Sequence, residues 1–205
     1  MIRAFLALLL LCAGPALAQD TVPAPAAPPA ALAPGEVAVT LATSAGSIVL
    51  ALDKAHAPLT TANFLRYVDA RRFDGIGFYR AMSLGQGSGL IQGGLRNDPR
   101  RLFPPVPHEP TSRTGLIHRD GIISMARDRP GTATADFFIT VGPLPSLDAH
   151  PGDEGFAAFG RVLSGMDVVR RILAMPVSAT QGPAVMRGQM LAPPVRILTA
   201  RRGGA

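Results

Sequence analysis

Cysteine, lysine, tryptophan and tyrosine are scarce in this chain. Of its 205 residues, one is cysteine (Cys12), two are tyrosine and none is tryptophan. Lys54 is the only lysine, so the other 19 of the 20 basic residues are arginines, scattered along the chain against 14 acidic residues. Nucleic-acid sites concentrate positive charge and, for single strands, add aromatic platforms. The sequence therefore argues against a nucleic-acid partner, and a role in binding anionic polymers would rest on net charge alone.

The first 18 residues have the pattern of a cleaved signal peptide. Arg3 gives a positive start, residues 4–11 are all apolar, and residues 16–18 (Ala-Leu-Ala) form the small-x-small pattern of a cleavage site. The apolar run is too short to span a bilayer, so no stable membrane insertion is expected. The sequence predicts an exported protein that begins at Gln19 and works in a bacterial periplasm.

Cleavage after Ala18 would also remove the only cysteine. The mature chain would carry 19 basic and 14 acidic residues, a net charge of +5, and could form neither disulfides nor thiol-dependent sites. Its length allows core packing to hold the fold instead. An alternative is a lipoprotein anchored through Cys12, but Leu11 is not the small residue that lipidation requires in front of the cysteine.

The remainder divides into a linker and one domain. Residues 19–35 are rich in proline and alanine without amphipathic pattern, which is typical of a semi-rigid polyproline spacer. Residues 36–205 form a single domain without internal repeats. We expect this domain to be a monomer.

Alternating apolar residues predict several short strands in the domain. Residues 37–52 read as a hairpin with a turn at Ala45-Gly46, and a helix follows from Pro58, with Thr60 or Thr61 as its cap. Strands are predicted within residues 77–80, 90–92, 121–127, 137–141, 156–162 and 195–200, and a second helix begins near residues 165–167. Many short strands, two helices and Gly/Pro-rich connections indicate an antiparallel barrel with helices covering its ends.

Common catalytic motifs are missing. The run Gly85-x-Gly87-x-Gly89 lacks the Gly-Lys-Ser/Thr of a phosphate loop, and no Gly-x-Ser-x-Gly elbow occurs. The four histidines do not have the spacing of metal ligands, although His150 lies close to Asp153 and Glu154 in a loop. No metal or other cofactor is expected.

Four motifs in order carry a family resemblance. They are Phe78-Tyr79-Arg80, Gln92-Gly93-Gly94, residues 121–139 (GIISMARDRPGTATADFFI), and Phe159-Gly160-Arg161-Val162 ahead of the second helix. Together they resemble the cyclophilin family of peptidyl-prolyl cis-trans isomerases over residues 37–200, and most closely its exported bacterial branch. The resemblance implies a mainly β fold, a closed eight-stranded antiparallel barrel capped by two α-helices. It also implies a cofactor-independent enzyme acting on proline-containing unfolded or flexible polypeptides.

The resemblance also implies an active groove on the outer face of the barrel. Arg80 matches the family's catalytic arginine and Gln92 its groove glutamine, and the resemblance implies a catalytic role for both. The matching substrate-binding positions are Leu90, Ala126, Arg127, Asp136, Phe138, Leu147 and Phe156. Ala126 and Arg127 would pair with the substrate backbone, and Phe138, Leu147 and Leu90 would enclose the proline ring.

The sequence departs from the family at three groove positions. Gly89 replaces a pocket phenylalanine, so we expect Met82 or Leu84 to refill that space. Asp136 replaces a glutamine. Its carboxylate is expected to pair with Arg80, so that Asp136→Gln would raise activity. Ser146 replaces an aromatic that supports the drug cyclosporin. These departures leave open an alternative function, a chaperone-like module of the same fold that binds proline segments with little catalysis.

Overall fold

The computed structural model describes residues 31–203. The predicted signal peptide (residues 1–18), the predicted cleavage site and residues 19–30 of the predicted linker lie outside the described residues. Within residues 31–203, no helix is both long and apolar enough to cross a membrane.

A closed antiparallel barrel forms the body of the domain. Its strands follow the order β1-β2-β7-β5-β6-β4-β3-β9, and β1 pairs with β9 to close the ring of eight. A two-residue strand, β8, is added to the free side of β9. The strands are β1 (Glu36–Thr43), β2 (Gly46–Asp53), β3 (Gly77–Gly85), β4 (Ser88–Gly94), β5 (Ile122–Met125), β6 (Phe137–Val141), β7 (Ala158–Ser164), β8 (Val177–Ser178) and β9 (Met190–Arg202). The predicted eight-stranded barrel is confirmed.

Within residues 31–203, three α-helices accompany the barrel, one more than predicted. Two of them, α1 (Pro58–Asp69) and α3 (Met166–Leu173), are those expected from the sequence. The third, α2 (Thr111–Thr114), is a single turn. The barrel interior is aromatic: Phe64 of α1 packs against Phe137 and Phe159 from two strands, with ring centroids 5.2 and 5.4 Å away. These buried rings hold α1 against the barrel.

The N-terminus of α1 corrects the predicted cap. Neither Thr60 nor Thr61 caps the helix, which starts after Ala57 without a local side-chain cap. Instead, the buried carboxylate of Glu109 accepts hydrogen bonds from the main-chain N–H groups of Leu59 (3.2 Å) and Thr60 (2.7 Å), and from the Thr60 hydroxyl (2.7 Å). A residue some 50 positions away therefore satisfies the free N–H groups of the first turn, which local sequence rules cannot anticipate.

Candidate active site

A β-bulge at Tyr79 turns Arg80 to the outer face of the barrel. Phe78 pairs with Gly93 and Arg80 with Gln92, so two steps along β3 match one step along β4. Regular alternation would place Phe78 and Arg80 on the same face. Because of the extra residue, Phe78 points into the core, where it is fully buried, while Arg80 remains partly exposed outside.

Paired strands then align the principal groups in one row. Arg80 on β3 pairs with Gln92 on β4, and Gln92 pairs with Phe138 on β6. Two residues further along β3, Met82 lies opposite Leu90. Residues that pair directly across an antiparallel ladder project to the same face, so these five side chains share the outer surface of the barrel.

Two side-chain amides hold the guanidinium of Arg80. Its Nε donates to Oε1 of Gln189 at 2.8 Å, and its Nη1 donates to Oε1 of Gln92 at 2.9 Å. Its Nη2 contacts the Sδ of Met82 at 3.3 Å, and a thioether is a weak acceptor. Burial lowers the pKa of Arg80 from its ordinary value, yet a guanidinium stays charged. Arg80 is thus fixed on two sides, with Nη2 as its least committed donor.

Behind Gln92, hydrogen bonds continue to Tyr79 and Asp136. Nε2 of Gln92 donates to the Tyr79 hydroxyl at 2.7 Å, which lies 3.2 Å from Oδ1 of Asp136. Burial raises the pKa of Tyr79 well above its ordinary value, so its hydroxyl stays protonated and can donate. Asp136 does not pair with Arg80, so the expected pairing is wrong. The reason is that Asp136 turns towards the main-chain N–H groups of Arg96 (3.0 Å) and Asn97 (3.2 Å).

An apolar cluster lies beside Arg80. Leu90, Phe138 and Leu144 are buried together, and partly buried side chains surround them: Met82, Ala126, Leu147 and Phe156. The Phe156 ring meets Phe138 edge-on, with centroids 5.5 Å apart. This apolar surface favours the binding of a small apolar ring, because the ring is then removed from contact with water.

The Gly89 departure has a backbone explanation. A Cβ on Gly89 would lie 2.1 Å from the carbonyl oxygen of Met82, and its φ of +150° disfavours side chains. Of the two side chains expected to refill the space, Met82 packs against the apolar cluster, whereas Leu84 is 59 % exposed near the hairpin tip.

His118 supports the cluster from behind. Its ring stacks on Phe138 with centroids 5.8 Å apart and an interplanar angle of 17°. Its Nδ1 lies 2.6 Å from Oδ1 of Asp148, and its Nε2 lies 3.0 Å from the hydroxyl of Ser124. Ser124 is fully buried, so this Ser-His-Asp arrangement offers no accessible nucleophile and serves to fix the histidine ring.

The segment at Ala126 and Arg127 forms the opposite wall. The N–H of Ala126 already bonds to the carbonyl of Asp136 at 2.8 Å, so it is not free for a substrate. Within residues 31–203, the main-chain N–H of Arg127 has no hydrogen-bond partner. Its guanidinium lies 4.8 Å from the centre of the Phe156 ring and bonds through Nε to the carbonyl of Gly155, which holds that aromatic wall in place.

All nine predicted site residues line one cavity of about 340 Å³: Arg80, Gln92, Leu90, Ala126, Arg127, Asp136, Phe138, Leu147 and Phe156. Sequence reasoning missed several other lining residues, namely Tyr79, Asn97, Asp128, Thr132, Thr134 and Met186. It also missed Gln189. Tyr79 could have been found from its place inside the Phe-Tyr-Arg motif. Met186 and Gln189 lie in a loop before β9 that carries no recognisable motif.

Comparison with known proteins identifies the family to which the chain belongs. The family model described as "Cyclophilin type peptidyl-prolyl cis-trans isomerase/CLD" matches residues 38–201, almost the whole described domain. The chain is a cyclophilin-type peptidyl-prolyl cis-trans isomerase. It is 39 % identical over 147 residues to peptidyl-prolyl cis-trans isomerase A of Dickeya dadantii, covering 70 % of this chain and 75 % of that protein. It is 38 % identical over 149 residues to a peptidyl-prolyl cis-trans isomerase of Streptomyces antibioticus, covering 70 % and 87 %.

Solved structures show the same fold. A crystal structure of a cyclophilin-type isomerase from Cryptosporidium parvum superposes with a TM-score of 0.64 at 22 % identity, covering 83 % of this cyclophilin and 99 % of that chain. The same Cryptosporidium protein was also crystallised in the presence of the dipeptide Ala-Pro, and that structure gives a TM-score of 0.63. Within residues 31–203 of this cyclophilin, no three His, Cys, Asp or Glu side chains are grouped to hold a metal ion.

Proposed function

We propose that this cyclophilin accelerates rotation about X–Pro bonds of exported polypeptides, with Arg80 as the catalytic residue. The observation that carries the proposal is the placement of Arg80: its guanidinium is held on two sides in the cavity, next to the apolar cluster that contains Leu90 and Phe138. The Ala-Pro dipeptide used with the Cryptosporidium relative supports a proline-containing ligand here.

The chemistry follows from the electronic structure of the peptide bond. Rotation is slow because the nitrogen lone pair is shared with the carbonyl, which gives a barrier of ~18–20 kcal/mol. At the twisted transition state the prolyl nitrogen becomes pyramidal and can accept a hydrogen bond. Nη2 of Arg80 can supply that bond, which forms in the transition state and not in the planar ground state.

The hydrogen bond from Arg80 is too weak to account alone for the lowering of the rotation barrier. Shortening an uncatalysed time of ~100 s to ~10 ms lowers the barrier by about 5.5 kcal/mol. A hydrogen bond to a charged group contributes ~1.5–3 kcal/mol. The remainder is assigned to holding the twisted chain. In this proposal Phe138, Leu90 and Leu147 grip the proline ring, and the free N–H of Arg127 bonds the substrate backbone.

The decisive test compares Arg80→Ala with a matched arginine variant in a proline-isomerisation assay. Arg170 is exposed on α3 and does not line the cavity, so Arg170→Ala is the control. We expect Arg80→Ala to lower kcat/KM at least about tenfold, and Arg80→Lys to recover little because an ammonium lacks the planar fork. Arg170→Ala should match wild type. Unchanged rates in both Arg80 variants would remove Arg80 from the mechanism. A wild-type rate no faster than the uncatalysed reaction, with retained binding of a proline peptide, would favour the non-catalytic binding module.

The place of action is a separate part of the proposal. Residues 1–18 support export to a bacterial periplasm, where clients would be unfolded or flexible proline-containing chains. The expected mature N-terminus is Gln19. Mass spectrometry of the protein purified from cells would contradict export if it found Met1 retained, and would support the lipoprotein alternative if it found lipid on Cys12.

A further inference from the structure

A chain of three hydrogen bonds connects a buried carboxylate to Arg80. Asp136 Oδ1 and the Tyr79 hydroxyl are 3.2 Å apart, the Tyr79 hydroxyl and Gln92 Nε2 are 2.7 Å apart, and Gln92 Oε1 and Arg80 Nη1 are 2.9 Å apart. Tyr79, Gln92 and Asp136 are each about 6 % exposed, so water competes little for these bonds. We refer to these four residues as the Asp136–Arg80 chain.

The two ends of the Asp136–Arg80 chain fix its direction. A carboxylate only accepts hydrogen bonds and a guanidinium only donates them. The Tyr79 hydroxyl therefore donates its single hydrogen to Asp136 and accepts from the amide NH₂ of Gln92. The Gln92 carbonyl is left facing Arg80. A flipped amide would place NH₂ hydrogens against the guanidinium and leave the Tyr79 oxygen without its donor.

Asp136 is itself held rigidly. Its carboxylate accepts from the main-chain N–H groups of Arg96 and Asn97, and Gly94 gives it room, because a Cβ at Gly94 would lie 2.2 Å from Oδ1. A fixed acceptor at this end transmits its orientation through short bonds, none of which involves the substrate. The Asp136–Arg80 chain thus commits Nη1 of Arg80, as Gln189 commits Nε, and leaves Nη2 for a substrate.

We propose that Asp136 and Tyr79 are positioning residues that orient Arg80 through Gln92. This inference rests on the proposed role of Arg80. It reverses the expectation that Asp136→Gln raises activity, because Asp136 supports the arginine from behind and does not compete for it. The Asp136–Arg80 chain acts on the orientation of Arg80 and not on the proline pocket. Loss of its hydrogen bonds therefore lowers kcat and leaves KM nearly unchanged.

Tyr79→Phe is the direct test, because it removes one hydroxyl and keeps the ring. We expect kcat to fall about fivefold, the worth of one ordinary buried hydrogen bond, with KM within about twofold of wild type. The matched control is Tyr67→Phe. Tyr67 is the only other tyrosine, and its buried hydroxyl accepts a hydrogen bond from the Phe103 N–H at 2.8 Å outside the cavity lining. Tyr67→Phe should lower stability but leave kcat unchanged.

A double-mutant cycle separates positioning from general destabilisation. Gln92→Ala interrupts the Asp136–Arg80 chain of hydrogen bonds. In that background, adding Tyr79→Phe should change kcat by less than about 1.5-fold. Asp136→Ala removes the acceptor of the Tyr79 hydroxyl, and should lower kcat as Tyr79→Phe does. Additive losses in Gln92→Ala/Tyr79→Phe, or a wild-type kcat in Tyr79→Phe while Arg80→Ala is impaired, would overturn the inference alone. An unimpaired Arg80→Ala would overturn the proposed function as well.

Discussion

Gln189 accepts a hydrogen bond from the Nε of Arg80 at 2.8 Å, although 109 positions separate the two residues. Its own backbone is anchored, because its carbonyl accepts from the Ala81 N–H at 2.8 Å. The loop between β8 and β9 thus supplies the second of the two amides that hold Arg80.

Removing this amide should loosen Arg80. We expect Gln189→Ala to lower kcat about threefold to tenfold, as for the loss of a charge-assisted hydrogen bond in a partly exposed site, and Gln189→Glu, which keeps an acceptor, to retain most activity. Steady-state isomerisation kinetics provide the measurement. Gln181→Ala, an exposed glutamine of the same loop, is the control. Equal losses in Gln189→Ala and Gln181→Ala would show that the loop matters and the Gln189 amide does not.

The stacked His118 predicts a pH-dependent stability. Burial lowers the pKa of His118 below its ordinary value of 6.5, and the neighbouring Asp148 offsets only part of that effect. The unfolded chain therefore takes up a proton more readily than the folded one. The contribution to stability is complete above pH 6.5 and is lost as pH falls from there through the folded pKa. Urea unfolding at pH 7.5, 6.5 and 5.5 should show this decline.

A substitution at His118 isolates its share of the pH dependence. His118→Gln cannot titrate, so its free energy of unfolding should change less between pH 7.5 and 5.5 than that of wild type, whatever its absolute stability. If the free energy of unfolding of wild type and of His118→Gln fell equally with pH, the decline in stability would be due to other groups.

The remote cap of α1 predicts a large effect of a single carboxylate. Glu109→Ala leaves the Leu59 and Thr60 N–H groups and the Thr60 hydroxyl without their acceptor. We expect a loss of about 2–3 kcal/mol in the free energy of unfolding, measured by urea denaturation. Glu154→Ala, at an exposed loop position, should change it by less than about 0.5 kcal/mol. A comparable small loss at Glu109 would mean that water caps the helix equally well.

Cyclosporin sensitivity should be low. Ser146 is exposed in the turn Pro145–Leu147, next to the cavity-lining Leu147, and provides no aromatic platform. We expect weak inhibition of wild type, and an increase of about tenfold in affinity on Ser146→Trp, measured as inhibition of the isomerase. Ser47→Trp, at an exposed position in β2, is the control. Nanomolar inhibition of wild type would show that another residue supplies the platform.

The sequence was sufficient for the barrel and for the wall residues of the cavity. Alternation located the strands, and ordered motifs identified residues that the ladder then aligns, such as Arg80 with Gln92. The orientation of Arg80 could not be predicted in the same way, because strict alternation places it on the face of Phe78 and only the bulge at Tyr79 separates them. A bulge depends on the register with a partner strand, which is a property of the assembled sheet.

Long-range polar contacts could not be predicted from the local sequence either. Asp136 was expected to face Arg80, and nothing in its neighbours along the chain reveals that the N–H groups of residues 96 and 97 hold it. Glu109 and Gln189 are similar cases. Each makes its contact across at least 49 positions, and neither Glu109 nor Gln189 itself lies in a motif.

The last described strand, β9, has a consequence for the folding of the barrel. β9 pairs with both β1 and β3, so it joins the first strand of the domain to the strand that holds Arg80. Among the described strands β9 comes last along the chain, and without it both of its neighbours expose unpaired edges, which favour association with other chains. Gln189 immediately precedes β9. Addition of β9 therefore closes the barrel and also brings Gln189 to Arg80, so a chain truncated after residue 188 should be inactive and prone to aggregate.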